Sequence, residues 1–167
     1  MDVMCGGLRS ILRMLGYDTV YALDRDAETD DVLVEIAVDE DRLIVTRDVD
    51  LAARSDRSVL LESTDTDEQL DELRAAGFEL KLTEPQRCSA CNGPLLWVPI
   101  DGGGGGETSD PERDGTGPED IELSSTDPVD STPEGVPDPG EFRLWQCQHC
   151  GQYYWKGSHW DDVQSRL

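Results

Sequence analysis

The sequence contains very little lysine: Lys81 and Lys156 are the only two, against 37 acidic residues and a net charge of −23. Many acids, few lysines and retained arginines are typical of proteins in concentrated salt, where charge repulsion is screened within roughly 3 Å at 1 M. The rival interpretation is an acidic protein that binds basic partners. Because the acids are spread along the chain as well as clustered, we favour the halophilic interpretation. Halophily weakens the usual inference that an acidic protein avoids nucleic acid, but it does not reverse it, because phosphate contacts also lose affinity as salt rises.

Long apolar runs are also absent. No stretch approaches the roughly 18 apolar residues of a membrane span, and residues 1–20 lack the basic and apolar pattern of a signal peptide. We therefore predict a soluble, cytoplasmic protein with no membrane partner. Its 167 residues suffice for one ordinary domain, or for a small domain and a mini-domain.

Residues 101–141 have almost no core-forming side chains. This stretch holds 13 acidic residues, nine glycines, six prolines and one arginine. Such a composition predicts a disordered acidic insert, with recruitment of a partner as the functional alternative.

Residues 1–87 alternate between helical and strand patterns, which predicts an α/β fold with a parallel sheet. Only residues 1–4 precede the first helix, which is short for a central strand and indicates an upstream start or a clipped strand. The predicted helices are 7–15, 29–38 with Thr29 as N-cap, and one that begins at the capping box Thr66–Gln69 and ends at Gly77; the predicted strands are 19–23, 42–45 and 58–61.

Two Cys-x-x-Cys pairs carry the strongest chemical signal. Cys88 and Cys91 precede Asn-Gly, and Cys147 and Cys150 precede Gly, so both pairs resemble zinc knuckles that share one tetrahedral ion. Of the 55 residues between the pairs, 41 belong to the insert. The alternatives are a redox motif or disulfides, but redox motifs usually come singly and cytosolic disulfides are rare. The sequence therefore predicts structural zinc on four cysteines, with Cys5 as a buried bystander.

Residues 153–160 are dense in aromatic side chains. With Trp97 and Trp145 they could form the small core of a zinc ribbon, which we favour. The functional alternative is a stacking surface for single-stranded RNA, with Trp155, Lys156 and His159 as contacts.

Acidic residues follow the predicted strands. Asp2 lies between the short first strand and the first helix, and Asp48 follows the strand 42–45, so both lie at the carboxyl edge of a parallel sheet. Carboxylates there can bind Mg²⁺ or Mn²⁺ for phosphodiester hydrolysis, although each acid in so acidic a chain is a solvated surface group by default. Further candidates on this edge are Asp26, Asp30, Asp31 and Asp65.

The segments 2–18, 42–48, 68–70, 88–95, 147–151 and 154–160 together resemble the Mut-seven C-terminal RNase domain family. The resemblance implies a PIN-like parallel sheet flanked by helices at 1–85 and a four-cysteine zinc ribbon at 86–167. It also implies a metal-dependent ribonuclease, with RNA as partner. Its carboxylates fall on Asp2 and Asp48, and its basic positions on Arg13 and Arg47, which could contact phosphate.

We therefore expect a Mg²⁺- or Mn²⁺-dependent ribonuclease that acts on single-stranded RNA. Asp2 and Asp48 would be core ligands, completed by one or two of Asp26, Asp30, Asp31 or Asp65. The alternatives are a non-catalytic RNA- or ribosome-associated adaptor, and a zinc-ribbon interaction module whose acidic loop recruits a protein.

Overall fold

The computed structural model describes residues 1–27, 29–99, 133–138 and 141–167. Most of the predicted insert 101–141 therefore lies outside the described residues. The regular elements are a 3₁₀ helix Val3–Leu8, α1 (Arg9–Met14), a 3₁₀ helix Ala22–Arg25, α2 (Asp30–Asp39), β1 (Ile44–Thr46), α3 (Val49–Ala53), β2 (Ser58–Leu60), α4 (Thr66–Ala75), β3 (Leu95–Trp97), β4 (Trp145–Cys147), β5 (Tyr153–Tyr154) and α5 (Ser158–Ser165).

The predicted parallel sheet is confirmed, with two strands among the described residues. β1 and β2 pair in parallel, with Val45 opposite Val59, and each is followed by a helix. The amide of Asp2 donates to the carbonyl of Val45 at 3.0 Å, so residues 1–2 lie along the other side of β1. The sequence interpretation of a mixed α/β fold with a parallel sheet is therefore correct.

The strand predicted at 19–23 is wrong. Val20 accepts a hydrogen bond from the Met1 amine at 2.8 Å, and Ala22 donates to the Met1 carbonyl at 3.0 Å, but Ala22 already begins a 3₁₀ helix.

The N-cap of helix α4 lies one residue before the predicted cap, Thr66. Asp65, and not Thr66, is the N-cap, because its carboxylate accepts the amides of Asp67 and Glu68 at 2.9 and 3.2 Å. Gly77, with a positive φ of 95°, follows the helix as predicted. Thr29 is the N-cap of α2 as predicted, although its side chain makes no capping hydrogen bond.

The cysteine-containing region forms a three-stranded antiparallel sheet in the order β3–β4–β5. Its last helix, α5, was not predicted from the aromatic segment 153–160. Trp160 and Val163 of α5 pack into the same core cluster as Leu8, Ile11 and Leu70. The C-terminal helix is thus part of the main hydrophobic core. Among the described residues, none of the helices has the length and apolarity needed to span a membrane.

Candidate metal centre and carboxylate edge

The four predicted cysteine ligands converge on one point. Their sulfur atoms all lie within 4.8 Å of one another, and all four are free thiols. Cys88 Sγ lies 3.7 Å from Cys150 Sγ, and Cys91 Sγ lies 3.5 Å from Cys147 Sγ. Sulfurs bound about 2.3 Å from a tetrahedral zinc ion are about 3.8 Å apart, so the cluster can hold a metal ion such as zinc.

Tight turns aim the sulfurs at that point. The amide of Cys91 donates to Cys88 Sγ at 3.3 Å, and the amide of His149 donates to Cys147 Sγ at 3.4 Å. Gly93 is required by close approach: a β-carbon there would lie 2.9 Å from Cys147 Sγ and 2.8 Å from the His149 ring. His149 thus flanks the cluster, and neither histidine is needed as a ligand.

The pKa of the Cys88 thiol is lowered within the cluster. Burial raises the pKa of Cys88, but hydrogen bonds from the Tyr154 hydroxyl and the Cys91 amide outweigh it and bring the pKa to about 7. Burial and hydrogen bonds with the neighbouring sulfurs raise the pKa of Cys91 to about 12. A bound cation favours thiolates throughout such a cluster, since its charge offsets theirs.

Arg13 joins helix α1 to the first knuckle. Its side chain is 1% exposed, and its Nη1 donates to the carbonyls of Ser89 and Ala90 at 3.1 and 2.7 Å. Its Nε donates to the Thr19 carbonyl at 2.9 Å, and its Nη2 pairs with Asp24 at 2.7 Å. The structure therefore places this predicted phosphate contact inside the molecule, fully engaged with protein oxygens.

Asn92 makes the second link between the knuckle and the α/β part. It has a positive φ of 67°; its side-chain carbonyl accepts the Thr19 amide at 3.0 Å, and its Nδ2 donates to Asp18 at 2.6 Å. Burial raises the pKa of Asp18, but hydrogen bonds from Asn92 and Arg42 and the charges of Arg42 and Arg87 outweigh it, so the pKa is lowered.

One buried hydroxyl bonds to the carboxylate of Asp2 and to the backbone amide of Asp48. Thr46, at the end of β1, donates from Oγ1 to Asp2 Oδ2 at 2.7 Å and accepts the Asp48 amide at 2.9 Å. Asp2 is 6% exposed, and Asp48 is partly exposed. The structure thus brings Asp2 and the Asp48 backbone to the same edge, as the strand pattern predicts.

Asp48 and Asp65 have the same local role. Each is an N-cap whose Oδ1 accepts two helix amides, at 2.8 and 3.0 Å for Asp48 in α3. The start of α4 lies beside the helix that follows Asp2, because a β-carbon on Gly7 would be 2.7 Å from Thr66 Oγ1.

The remaining acidic candidates have other local partners. Asp30 and Asp31, in the first turn of α2, both pair with Arg54. Asp26 is exposed and ends a 3₁₀ helix in the left-handed conformation, with a φ of 51°. Within the described part of the chain, the cysteines are the one group of three or more potential ligands close enough for a shared ion.

Arg47, between Thr46 and Asp48, has a side-chain nitrogen without a hydrogen-bond partner. Its Nε is buried and has no hydrogen-bond partner, and its charge acts on the neighbouring Cys5 thiol. Burial raises the pKa of Cys5 to about 11, with the charge of Asp2 adding to the effect. Cys5 is 1% exposed, as predicted for a bystander, and stays a neutral thiol.

The predicted RNA contacts of the C-terminal segment lie around α5. Lys156 pairs with Glu84 at 2.8 Å, while Trp155 and His159 line a small cleft of about 50 Å³ together with Tyr154. The sequence reasoning missed Thr46 and Asn92 as site residues. Only Thr46 had a usable signal, since it lies in the strand-end segment Thr-Arg-Asp.

These features define an α/β protein with a four-cysteine group that could hold a metal ion. The family model for the Mut7-C RNAse domain matches residues 1–101 and 119–167, and the chain belongs to that family. No curated protein and no solved structure matches the chain. The resemblance noted from the sequence motifs is therefore confirmed, and membership indicates a ribonuclease-like role.

Proposed function

We propose that this chain is a PIN-like, divalent-metal-dependent ribonuclease that hydrolyses RNA phosphodiester bonds at the edge formed by Asp2 and Asp48. The observation that carries this proposal is the Thr46 hydroxyl, which bonds to the Asp2 carboxylate and to the Asp48 amide. It orders the two acids at the carboxyl end of β1, where α/β folds place their sites. Membership of the RNase family supports the reaction class.

The carboxylates of Asp2 and Asp48 suit Mg²⁺ or Mn²⁺, which prefer carboxylate oxygens. In Asp48, Oδ1 caps α3, and no hydrogen bond occupies Oδ2 among the described residues. In Asp2, Oδ2 accepts Thr46, which likewise leaves Oδ1 for a ligand. A metal held by these acids would activate water and stabilise the leaving oxygen.

The chain's own contribution is then positioning and charge. The hydroxyl of Thr46 holds Asp2 through one carboxylate oxygen, and the N-cap role of Asp48 fixes the direction of its carboxylate. Arg47, with its unpartnered Nε, would offer the scissile phosphate a cation. Asp65 is the best third ligand, because Asp30 and Asp31 would first have to leave Arg54.

We infer that the cysteine cluster binds structural zinc and that the ribbon helps to hold single-stranded RNA. Arg13 is left out of this RNA contact because it is buried. Trp155, Lys156 and His159 remain candidates. Reduced cysteines serving as metal ligands fit a cytoplasmic protein.

The nuclease is tested by Mn²⁺-dependent cleavage of labelled single-stranded RNA in molar KCl. Asp48→Asn should abolish cleavage while the fold is kept, because asparagine caps a helix as well as aspartate does. The matched control is Asp71→Asn, which removes an exposed carboxylate from α4 and should cleave like the wild type. Equal cleavage by Asp48→Asn and wild type would refute the proposed site.

One observation favours a second candidate, a non-catalytic RNA- or ribosome-associated adaptor. Among the described residues, the carboxylates do not form a three-ligand group like that of the cysteines. Binding of RNA with no cleavage in Mg²⁺ or Mn²⁺ at any salt concentration would establish the adaptor.

A further inference from the structure

An arginine lies between two tryptophans on the ribbon. The Cζ of Arg143 is 5.6 Å from the ring centroid of Trp97 and 5.5 Å from that of Trp145. Trp97 and Trp145 are directly paired residues of β3 and β4, so both side chains stand on the same face of the sheet. Trp145 is 4% exposed, whereas Trp97 is 49% exposed. This face thus presents one open indole ring beside a cation.

Lys156 extends the same face. Its Nζ lies 5.8 Å from the ring centroid of Trp145 and 5.1 Å from that of Trp160. Arg143 and Lys156 therefore both contact the buried ring of Trp145, and each has room to reach an anion because both side chains are more than one-third exposed. Two cations held together over aromatic rings are unusual in a chain with a net charge of −23.

Glu84 is the shared counter-ion of this pair. Its Oε2 lies 3.6 Å from Arg143 Nη1, and its Oε1 lies 2.8 Å from Lys156 Nζ. All three side chains are more than one-third exposed, and ion pairs on the surface contribute little to stability. The carboxylate is therefore readily exchanged for another anion that fits between the same two cations.

We propose that Trp97, Arg143 and Lys156 form a binding site for single-stranded RNA, in which a base stacks on Trp97 and its phosphate replaces Glu84 between the two cations. This inference rests on the proposed function for the identity of the polyanion. An open indole suits an unpaired base, and stacking persists when salt screens charge, as concentrated salt would require. Glu84 then acts as an internal competitor that RNA must displace.

If RNA binds at this site, loss of a cation should lower the affinity for RNA and loss of the acid should raise it. Arg143→Gln should weaken RNA binding and lower the slope of log Kd against log salt by about 0.7, the value for one contact to a single strand. Trp97→Ala should weaken binding about 10-fold with the slope unchanged, because stacking releases no counter-ions. Glu84→Gln should tighten binding about 3-fold, since it removes the competitor for two cations.

The experiment measures fluorescence anisotropy of a labelled single-stranded RNA with the full chain, without added Mg²⁺ or Mn²⁺, over a KCl series. Phe142→Ala is the control for Trp97, as a neighbouring exposed aromatic. Glu79→Gln is the control for Glu84, as an exposed acid whose loss changes net charge equally. Both controls should bind like the wild type, and unchanged zinc content shows that each variant is folded.

Each result decides between the two proposals. If Glu84→Gln and Glu79→Gln tighten binding equally, or if Trp97→Ala binds like wild type, the site is refuted even if the protein cleaves RNA. If the variant pattern appears but no metal supports cleavage, the site stands and the nuclease proposal fails. If the wild type binds no RNA at any salt concentration, the surface serves another partner and the inference is overturned.

Discussion

The hydroxyl of Thr46 donates a 2.7 Å hydrogen bond to the buried carboxylate of Asp2. Because the same oxygen accepts the Asp48 amide, one side chain determines how two loops of the sheet edge lie together. The hydrogen bond between Thr46 and Asp2 spans 44 residues and joins the start of the chain to the end of β1.

Thr46→Val should therefore lower the free energy of unfolding by about 1–3 kcal/mol, because valine fills the same space but leaves a buried carboxylate and an amide without their partner. Denaturant unfolding in molar KCl measures the loss. The control is Thr19→Val, whose hydroxyl makes only a local 3.2 Å bond to the Tyr17 carbonyl, and it should cost clearly less. Equal losses for the two variants would mean that the link contributes nothing of its own.

Arg13→Met should destabilise the protein by about 3–5 kcal/mol and weaken metal retention. The change leaves the carbonyls of Ser89 and Ala90 unpaired beside the knuckle and removes the buried partner of Asp24. Thermal unfolding and metal release to a chromogenic chelator measure the two effects.

The matched control for Arg13 is Arg9→Gln, which removes the other arginine paired with Asp24, at 3.1 Å. Arg9 is about one-third exposed and touches no knuckle carbonyl in the described contacts, so its loss should cost under about 1 kcal/mol. If Arg9→Gln releases metal as fast as Arg13→Met, the knuckle is not held through Arg13.

Cys91→Ser should remove the bound metal. Three sulfurs and a hydroxyl hold zinc far more weakly than four thiolates, and the ribbon loses the ion that joins its two knuckles. Elemental analysis of the purified protein should fall from one zinc ion per chain towards none. Cys5→Ser should keep its zinc, because Cys5 lies in the α/β core away from the cluster.

Acid should weaken the contact between Asp18 and the knuckle. The folded-state pKa of Asp18 lies below its ordinary value of 3.8, so the carboxylate stabilises the fold at higher pH and loses that effect as pH falls through the lowered pKa. The stability difference between wild type and Asp18→Asn should be full above about pH 5 and should shrink below pH 3.8. Denaturant unfolding across this range tests it.

The control for Asp18 is Asp161→Asn, which changes an exposed acid in the first turn of α5. Its stability difference from wild type should be small by comparison at every pH. A difference for Asp18→Asn that grows on acidification would contradict the direction of the pKa shift.

The features that could be predicted from the sequence are those set by residues close together in the chain. The cysteine cluster depends on short spacings and glycine turns, which can be recognised within a few residues. Helices α1, α2 and α4 and strands β1 and β2 follow from periodicity, so they were located to within a few residues, whereas the strand predicted at 19–23 was wrong and α3 was not predicted. Asp2 and Asp48 were placed on one edge because parallel strands end at the same edge.

The errors and omissions involve contacts between distant residues. The bonds from Arg13 to Ser89 and Ala90 span 76 and 77 residues, and no local pattern distinguishes such an arginine from a surface cation. The aromatic segment 153–160 was interpreted as ribbon core, which holds for Tyr154, packed with Trp145, whereas Trp160 belongs to the main core cluster. Which acids bind a catalytic metal, and where the two domains divide near residue 86, stay predictions.

The packing of α5 has a consequence for how the chain acquires its fold. Trp160 and Val163 fill the same core as Leu8 and Ile11, so residues some 150 positions apart must meet before that core is complete. During synthesis, α1 would therefore leave the ribosome with an apolar face that lacks its cover until α5 has emerged. Ribosome-bound chains that stop before residue 158 should be protease-sensitive in α1. In the completed chain, zinc bound at the second knuckle would bring α5 back to the core.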